Sequence, residues 1–358
     1  MAIDFSRARW DKIKEDYGRW WAGELKRPLI RITTWTRNPD KAEPRVKDTP
    51  HLIYDLSVSA DEIVDRWDWQ LSGVKYYGDA YPSVWPNMGP GVLAAFMGAR
   101  PIPADDTTWF EPDKPRELAD IHLKFDPENV WFKRCLDISR KAVERWEGQV
   151  LVDVTDLGGN LDIVSTFRPS ELLPMDLYDN PEEVKRLGWE SHRAWWECFE
   201  EINKALQPIN PGYGAWLDIY SDVPYYVLQC DFCYMIGPAM FDEFVKPELE
   251  ATIKRLGNAY YHLDGVGQLP HLDSLLSIKE LKGVQWVFGD GKPGMTHWPE
   301  VYRKIRDAGK TIYVYGTLDE FDTLIGQLGS AEGVVFNLWR ERQSDSEIKD
   351  FLAKYKVK

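Results

Sequence analysis

Residues 283–337 read GVQWVFGDGKPGMTHWPEVYRKIRDAGKTIYVYGTLDEFDTLIGQLGSAEGVVFN, and the alternation within this stretch decides the fold. Three short runs rich in Val, Ile, Tyr and Phe (283–288, 311–315 and 333–337) are separated by two segments with a helical apolar period (299–308 and 318–327). Short β-type runs bounded by Gly and turn residues read as strands, and strand–helix–strand alternation lays successive strands parallel through helical crossovers. Gly309 directly after the first helical segment fits a left-handed C-cap.

The same alternation recurs upstream. A fifth strand is expected at 259–263 (AYYHL), before it a helix at 240–256 led by Pro238, and before that a fourth strand at 214–218 (GAWLD). A long helix at 181–206 follows a third strand at 149–153 (QVLVD), itself preceded by a helix at 127–146 with Asp126 as N-cap. A second strand falls within 74–86, and a first at 28–34 (PLIRITT) follows an aromatic-rich helical lead-in at 6–25. With a last helix at 345–355 and no Pro/Ser-rich linker, the eight units predict an α/β protein. The expected form is a single (β/α)8 TIM barrel over 1–358, with 1–27 as helical lead-in and 91–126 as an insertion near the barrel mouth.

The chain has 358 residues, 44% of them hydrophobic, enough for one large core. Lys and Arg total 44 against 58 Asp and Glu, a net charge of -14, which disfavours nucleic acid and anionic membrane surfaces as partners. No run approaches the ~18 apolar residues of a membrane span and the first nine residues lack a secretory apolar core, so a soluble cytoplasmic protein is expected. Cys135, Cys198, Cys230 and Cys233 are too few for a disulfide scaffold and are expected as thiols. Seventeen Trp place several rings at half-buried rims, where the indole N–H finds a partner.

In a barrel of this kind, reactive groups stand at the C-terminal ends of the strands. That filter selects Asn87, then Asp153 and Asp156, then Asp218 and Asp222, then His262 and Asp264, then Gln285 and Asp290, Tyr315, Asn337 and Arg340. His262 and Asp264 are two apart on one strand and share a face, so the pair suits either an oriented acid or base or two ligands of a metal ion. His262, Asp264, Asp153 and Asp218 are the candidate catalytic groups, expected to converge on one cavity. Trp85, Asn87, Asp156, Trp216, Gln285, Trp286, Tyr315, Asn337 and Arg340 are candidate substrate contacts, with Trp109 and Trp339 as further rings for a flat or cationic ligand.

Three blocks resemble the uroporphyrinogen decarboxylase superfamily: DLGGNLDIVSTFRPSELLPMDLYDNPEEVKRL (156–187), CDFCYMIGPAMFDEFVKPELEATI (230–253) and YYHLDGVGQLPHLDSLLSIKELKGVQW (260–286). The resemblance runs from about residue 28 to the C-terminus and implies the barrel fold. True uroporphyrinogen decarboxylases carry an Arg-rich motif after the first strand, where this chain reads TTWTRNPDK with Arg37 alone. The resemblance is therefore nearer to the corrinoid-dependent methyltransferase branch, whose His-x-Cys pair and a later Cys bind zinc. Here that pair reads His262-Leu263-Asp264 and no Cys follows, so the resemblance implies a His/Asp metal site completed by Cys230 or Asp231.

The resemblance thus implies methyl transfer on a small methylated compound, with a divalent metal such as zinc and a corrinoid supplied by a partner protein. Two other readings stand beside it. One is a decarboxylase or lyase of a small carboxylic acid, with Asp153 or Asp218 moving the proton and Arg340 or Arg37 holding the carboxylate; the other is a non-catalytic ligand-binding barrel. A homo-oligomer is compatible with all three.

Overall fold

The computed structural model describes every residue except 1, 2, 4, 50, 170, 339–342 and 358, so Arg340 and Trp339 lie outside the described residues. The strands are β1 (Leu29–Trp35), β2 (Val74–Gly78), β3 (Ser83–Val84), β4 (Arg100–Pro103), β5 (Thr108–Glu111) and β6 (Leu151–Val152). They continue as β7 (Tyr225–Leu228), β8 (Asn258–Asp264), β9 (Gly283–Val287), β10 (Thr311–Gly316) and β11 (Val334–Leu338). Seven of them form one sheet in the order β2-β1-β11-β10-β9-β8-β7. All neighbours in it are parallel except β1 and β2, so this is a mixed α/β protein built on a parallel-rich sheet. Strands buried on both faces read as continuous apolar runs, as YYVL does in β7, where all four residues are buried.

Register places one inward-facing layer. Arg31 of β1 stands opposite Asn337 of β11, Asn337 opposite Tyr315 of β10, and Gln285 of β9 opposite both Tyr313 and His262. Polar side chains from five adjacent strands therefore share one side of the sheet.

Two strand expectations are corrected. The fourth strand is 225–228 and not 214–218; the latter segment lies in a bend closed by Tyr213 and Ser221, with Ala215 bridged to Val154. Gly214 is pressed on Asp153, where a Cβ would come within 1.7 Å of the carboxyl oxygen. The segment 74–86 divides into β2, antiparallel to β1, and β3, parallel to β6. Pro82 and Pro86 flank β3 and offer no N–H, which leaves few residues free to pair.

Among the described residues no ladder closes the sheet into the expected ring of eight strands. Side chains span the opening instead. Ser83 Oγ donates to Asp218 Oδ1 at 3.1 Å, Tyr225 Oη to the Leu217 carbonyl at 3.4 Å and Tyr226 Oη to the Thr155 carbonyl at 3.3 Å.

The lead-in is α1 (Arg7–Trp21), which buries Trp10, Ile13, Tyr17 and Trp20 on one helical face. Its rings meet Tyr225 and Tyr260 near the N-terminal ends of β7 and β8, away from the strand ends that carry the candidate site. The 91–126 insertion contains the antiparallel hairpin β4–β5. Gly89, at φ +84, lets the hairpin dock, since a Cβ there would stand 2.7 Å from Thr108 Cβ. No helix among the described residues is long and apolar enough to cross a membrane.

Candidate active site

Alternation along β8 puts His262 and Asp264 on the same half-buried face. His262 Nδ1 lies 2.6 Å from Gln285 Oε1, its partner in register on β9. With that oxygen as acceptor, Nδ1 carries the proton and Nε2 presents a lone pair. Nε2 faces Asp264 Oδ2 at 3.9 Å. The edge of Trp216 closes one side, its ring 5.0 Å from the imidazole at 85°. Burial holds the imidazole pKa below its ordinary value in spite of the Gln285 hydrogen bond.

Asp231, in the turn after β7, completes a group of three whose donor atoms lie within 4.8 Å of one another. Its backbone is fixed from below: Asp162 accepts the N–H of Asp231 at 3.1 Å and that of Phe232 at 2.8 Å. Cys230, the other expected third ligand, is not in the group. It is buried beside Cys233, and burial pushes its thiol well up, away from the thiolate a metal takes. Peptide geometry explains the exchange, because consecutive residues entering a turn send their side chains apart. Donors of one N and two O suit a divalent cation with coordination positions left open.

Asp153 and Asp218 belong to a second group, organised by a residue the sequence reading passed over. Arg31 is 4% exposed, in the middle of β1. Its Nη2 is 3.6 Å from Asp218 Oδ1, its Nη1 donates to Tyr17 Oη at 3.1 Å, and its guanidinium lies 4.4 Å from the Tyr81 ring centre. Asn337 donates to Tyr313 Oη at 3.0 Å on the same side. Burial and the Asp218 charge push the Asp153 carboxyl well up, against the pull of Arg31. Among the described residues neither Asp153 Oδ1 nor Arg31 Nε has a hydrogen-bond partner. The signal was a lone charge inside the apolar strand PLIRITT.

Asp156, Trp85 and Asn87 line a third place, a cavity of about 580 Å³ at the ends of β3 and β6. Other walls come from α2 (Ala60–Leu71), through Trp67 and Gln70, and from Asp106 to Thr108 of the insertion. Asn87 shapes the turn, its Oδ1 accepting the Gly89 N–H at 3.1 Å. Asp156 accepts the Gly158 N–H at 2.9 Å, and burial nonetheless pushes its carboxyl up to about 7.

A raised folded-state pKa means the folded protein holds this proton more tightly than the unfolded chain, whose carboxyl titrates near 3.8. The stability it contributes is present below that value and is lost as pH rises through about 7. The urea midpoint of metal-free protein is therefore expected to fall from about pH 5 to about pH 8. Asp156→Asn should flatten that dependence; an unchanged slope would contradict the assignment.

Two other expected contacts need placing. Trp286 is a correction: it is fully buried and packs edge-on against Trp298 at 5.3 Å, on the helix side of β9. Strand alternation requires this once its neighbour Gln285 faces His262. Tyr315 remains on the inner side, half-buried and stacked on Phe288 at 5.8 Å. Trp109 is 65% exposed on the hairpin, and Arg37 is exposed after β1.

No protein-family model matches the sequence, and no curated protein does. Among solved structures, the chain is similar to a methyltransferase from Methanosarcina mazei, with a TM-score of 0.61 and 11% identity. The superposition covers 96% of this chain and 98% of the other. At that identity the likeness concerns the fold.

Proposed function

We propose that this chain is a methyltransferase acting on a small methylated compound, built on a barrel plan of the uroporphyrinogen decarboxylase type. Its reacting centre is the divalent cation site of Asp231, His262 and Asp264. The observation that carries this reading is the His262 Nε2 lone pair facing the Asp264 carboxylate at 3.9 Å, with Asp231 beside them. Three acceptors converging on one point favour a cation among them. The whole-chain likeness in fold supports the same reaction class.

A cation bound there would polarise the atom that gives or takes the methyl group and ease its loss of a proton. The protein supplies the rest. Gln285 fixes the His262 tautomer and ring plane, Asp162 holds Asp231 by its backbone, and Trp216 shields the imidazole from water. A corrinoid carried by a partner protein is the proposed second participant. The test is metal analysis of the purified chain, followed by incubation with methylcobalamin and a thiol acceptor. Cleavage of the cobalt–carbon bond with appearance of the thioether is the expected result. A metal-free, inert protein that acts on neither would overturn the reading. Gln285→Leu should weaken metal affinity by about 10- to 100-fold, read by chelator competition, with the fold retained.

A second reading rests on the Arg31 group. A buried guanidinium beside Asp153, whose carboxyl burial pushes well up, is suited to hold a carboxylate and to protonate the carbon from which CO₂ departs. Release of labelled CO₂ from a panel of small carboxylic acids, lost in Asp153→Asn, would favour it over methyl transfer.

A further inference from the structure

We infer that the 580 Å³ cavity between α2, the β3 end and the insertion hairpin binds a small methylated ammonium cation. This deepens the methyl-transfer reading, and rests on it only for the role of the ligand as methyl donor. The binding claim stands on the walls. They bring together the rings of Trp67 and Trp85, the apolar Leu52 and Ile53, and the carboxylates of Asp48, Asp106 and Asp156. Among the described residues no Lys, Arg or His lines the cavity.

Each feature narrows the ligand. A volume of this size suits a small molecule. Indole faces attract cations, most strongly those that shed water easily, as methylated ammonium groups do. Carboxylates with no neighbouring cation in the wall repel anions and favour a positive guest, and the chain's net charge of -14 adds a long-range field of the same sign. The acids are held in place: Asp156 by the Gly158 N–H at 2.9 Å, and Asp48 by Gln70 Nε2 at 2.7 Å. A neutral ligand would gain nothing from the negative wall, and an anion would meet the carboxylates of Asp48 and Asp106, joined by that of Asp156 as pH rises through about 7.

One wall of the cavity is linked to the proposed reacting centre through a short stretch of chain. Asp156 begins the loop that leads into the helix Asn160–Phe167, and Asp162 on that helix grips the backbone of Asp231. The Asp156 carboxyl feels the charges of both Asp162 and Asp231. A cation seated against Trp85 and Asp156 is thus on the same face as the metal group.

The experiment compares three ligands that share a trimethyl head by calorimetry on the full chain at pH 8 and fixed ionic strength. Choline carries the charge, 3,3-dimethylbutan-1-ol replaces the charged nitrogen by carbon, and pivalate reverses the charge. Choline is expected to bind at least tenfold more tightly than the alcohol, with pivalate not binding. Trp85→Leu and Asp156→Asn should each lower choline affinity at least fivefold while leaving metal content in place. Trp85→Phe, a milder change in case the leucine variant fails to fold, should give an intermediate affinity. Equal binding of choline and the alcohol, preference for pivalate, or undiminished choline binding in a folded Trp85→Leu protein would overturn the inference. Choline binding without any methyl transfer would sink the methyl-transfer reading and leave this site standing. Methyl transfer from an uncharged donor, with no choline binding, would do the reverse.

Discussion

Replacing His262 with alanine is expected to strip the divalent cation from the protein and to lower methyl transfer by at least about two orders of magnitude. The estimate follows from scale: loss of an outer partner of a metal ligand costs about 10- to 100-fold, and loss of the ligand itself costs more. His262 supplies the single nitrogen of the group, so its removal leaves two carboxylates whose mutual repulsion nothing relieves. Metal-to-protein ratio by plasma mass spectrometry and turnover on the same sample give the result. Circular dichroism should match the wild type, because His262 is half-buried at a strand end, with Leu263 beside it filling the core. Cys230→Ala should keep its metal, since that thiol is buried against Cys233 outside the group. Full activity in metal-free His262→Ala protein would remove this site from the reaction. Full activity in metal-free wild type would instead point to acid–base chemistry by His262 and Asp264.

What could be read ahead of the structure depended on how local its cause was. The units from β8 to β11 were legible because each strand is a compact β-type run, and each following helix declares its apolar stripe and its ends within its own residues. Thr317 with Glu320 and Ser344 with Glu347 form capping boxes visible in sequence. The fourth strand was not legible. GAWLD and YYVL are both short apolar runs beside turn residues, and what makes YYVL, after Pro224, the strand is its pairing with residues 258–261. The lack of a closing ladder among the described residues was likewise not legible: the short β3 and β6 pair with each other, far apart in the chain, and join no strand of the large sheet.

The site shows the same division. His262 and Asp264 share a face by strand period alone, which sequence supplies. That Asp231 joins them in place of Cys230 depends on how a turn leaves β7. Trp286 was drawn into the expected substrate wall because a Trp near a strand end attracts attention, yet the rule that paired His262 with Asp264 also sets Trp286 opposite Gln285. Arg31 was missed for the converse reason. A charge inside an apolar strand either marks a wrong strand assignment or a buried charge with partners, and here Asp218 and Tyr17 are the partners.

Asp79→Ala is expected to destabilise the protein by about 3–5 kcal/mol, the usual cost of removing one partner from a buried ion pair. The Asp79 side chain is 1% exposed and that of Arg27 11%. Both Arg27 terminal nitrogens donate to it, at 2.7 and 2.8 Å, and its Oδ2 also accepts the Ile30 N–H at 2.8 Å. The substitution thus leaves a guanidinium short of its fork and a buried backbone N–H without its side-chain acceptor. Asp16 Oδ2, 2.9 Å from Arg27 Nη2, keeps part of the charge compensated, which sets the expected loss within that range and not above it. Urea denaturation at pH 7 reads the difference. The loss bears on the site because Ile30 precedes Arg31, and the N–H held by Asp79 fixes where β1 enters the sheet. A slipped β1 would break the register of Arg31 with Asn337 and turn the guanidinium away from Asp218. A midpoint shift worth less than about 1 kcal/mol would mean that β1 is held by its ladder to β11 alone, and that Asp79 only neutralises Arg27.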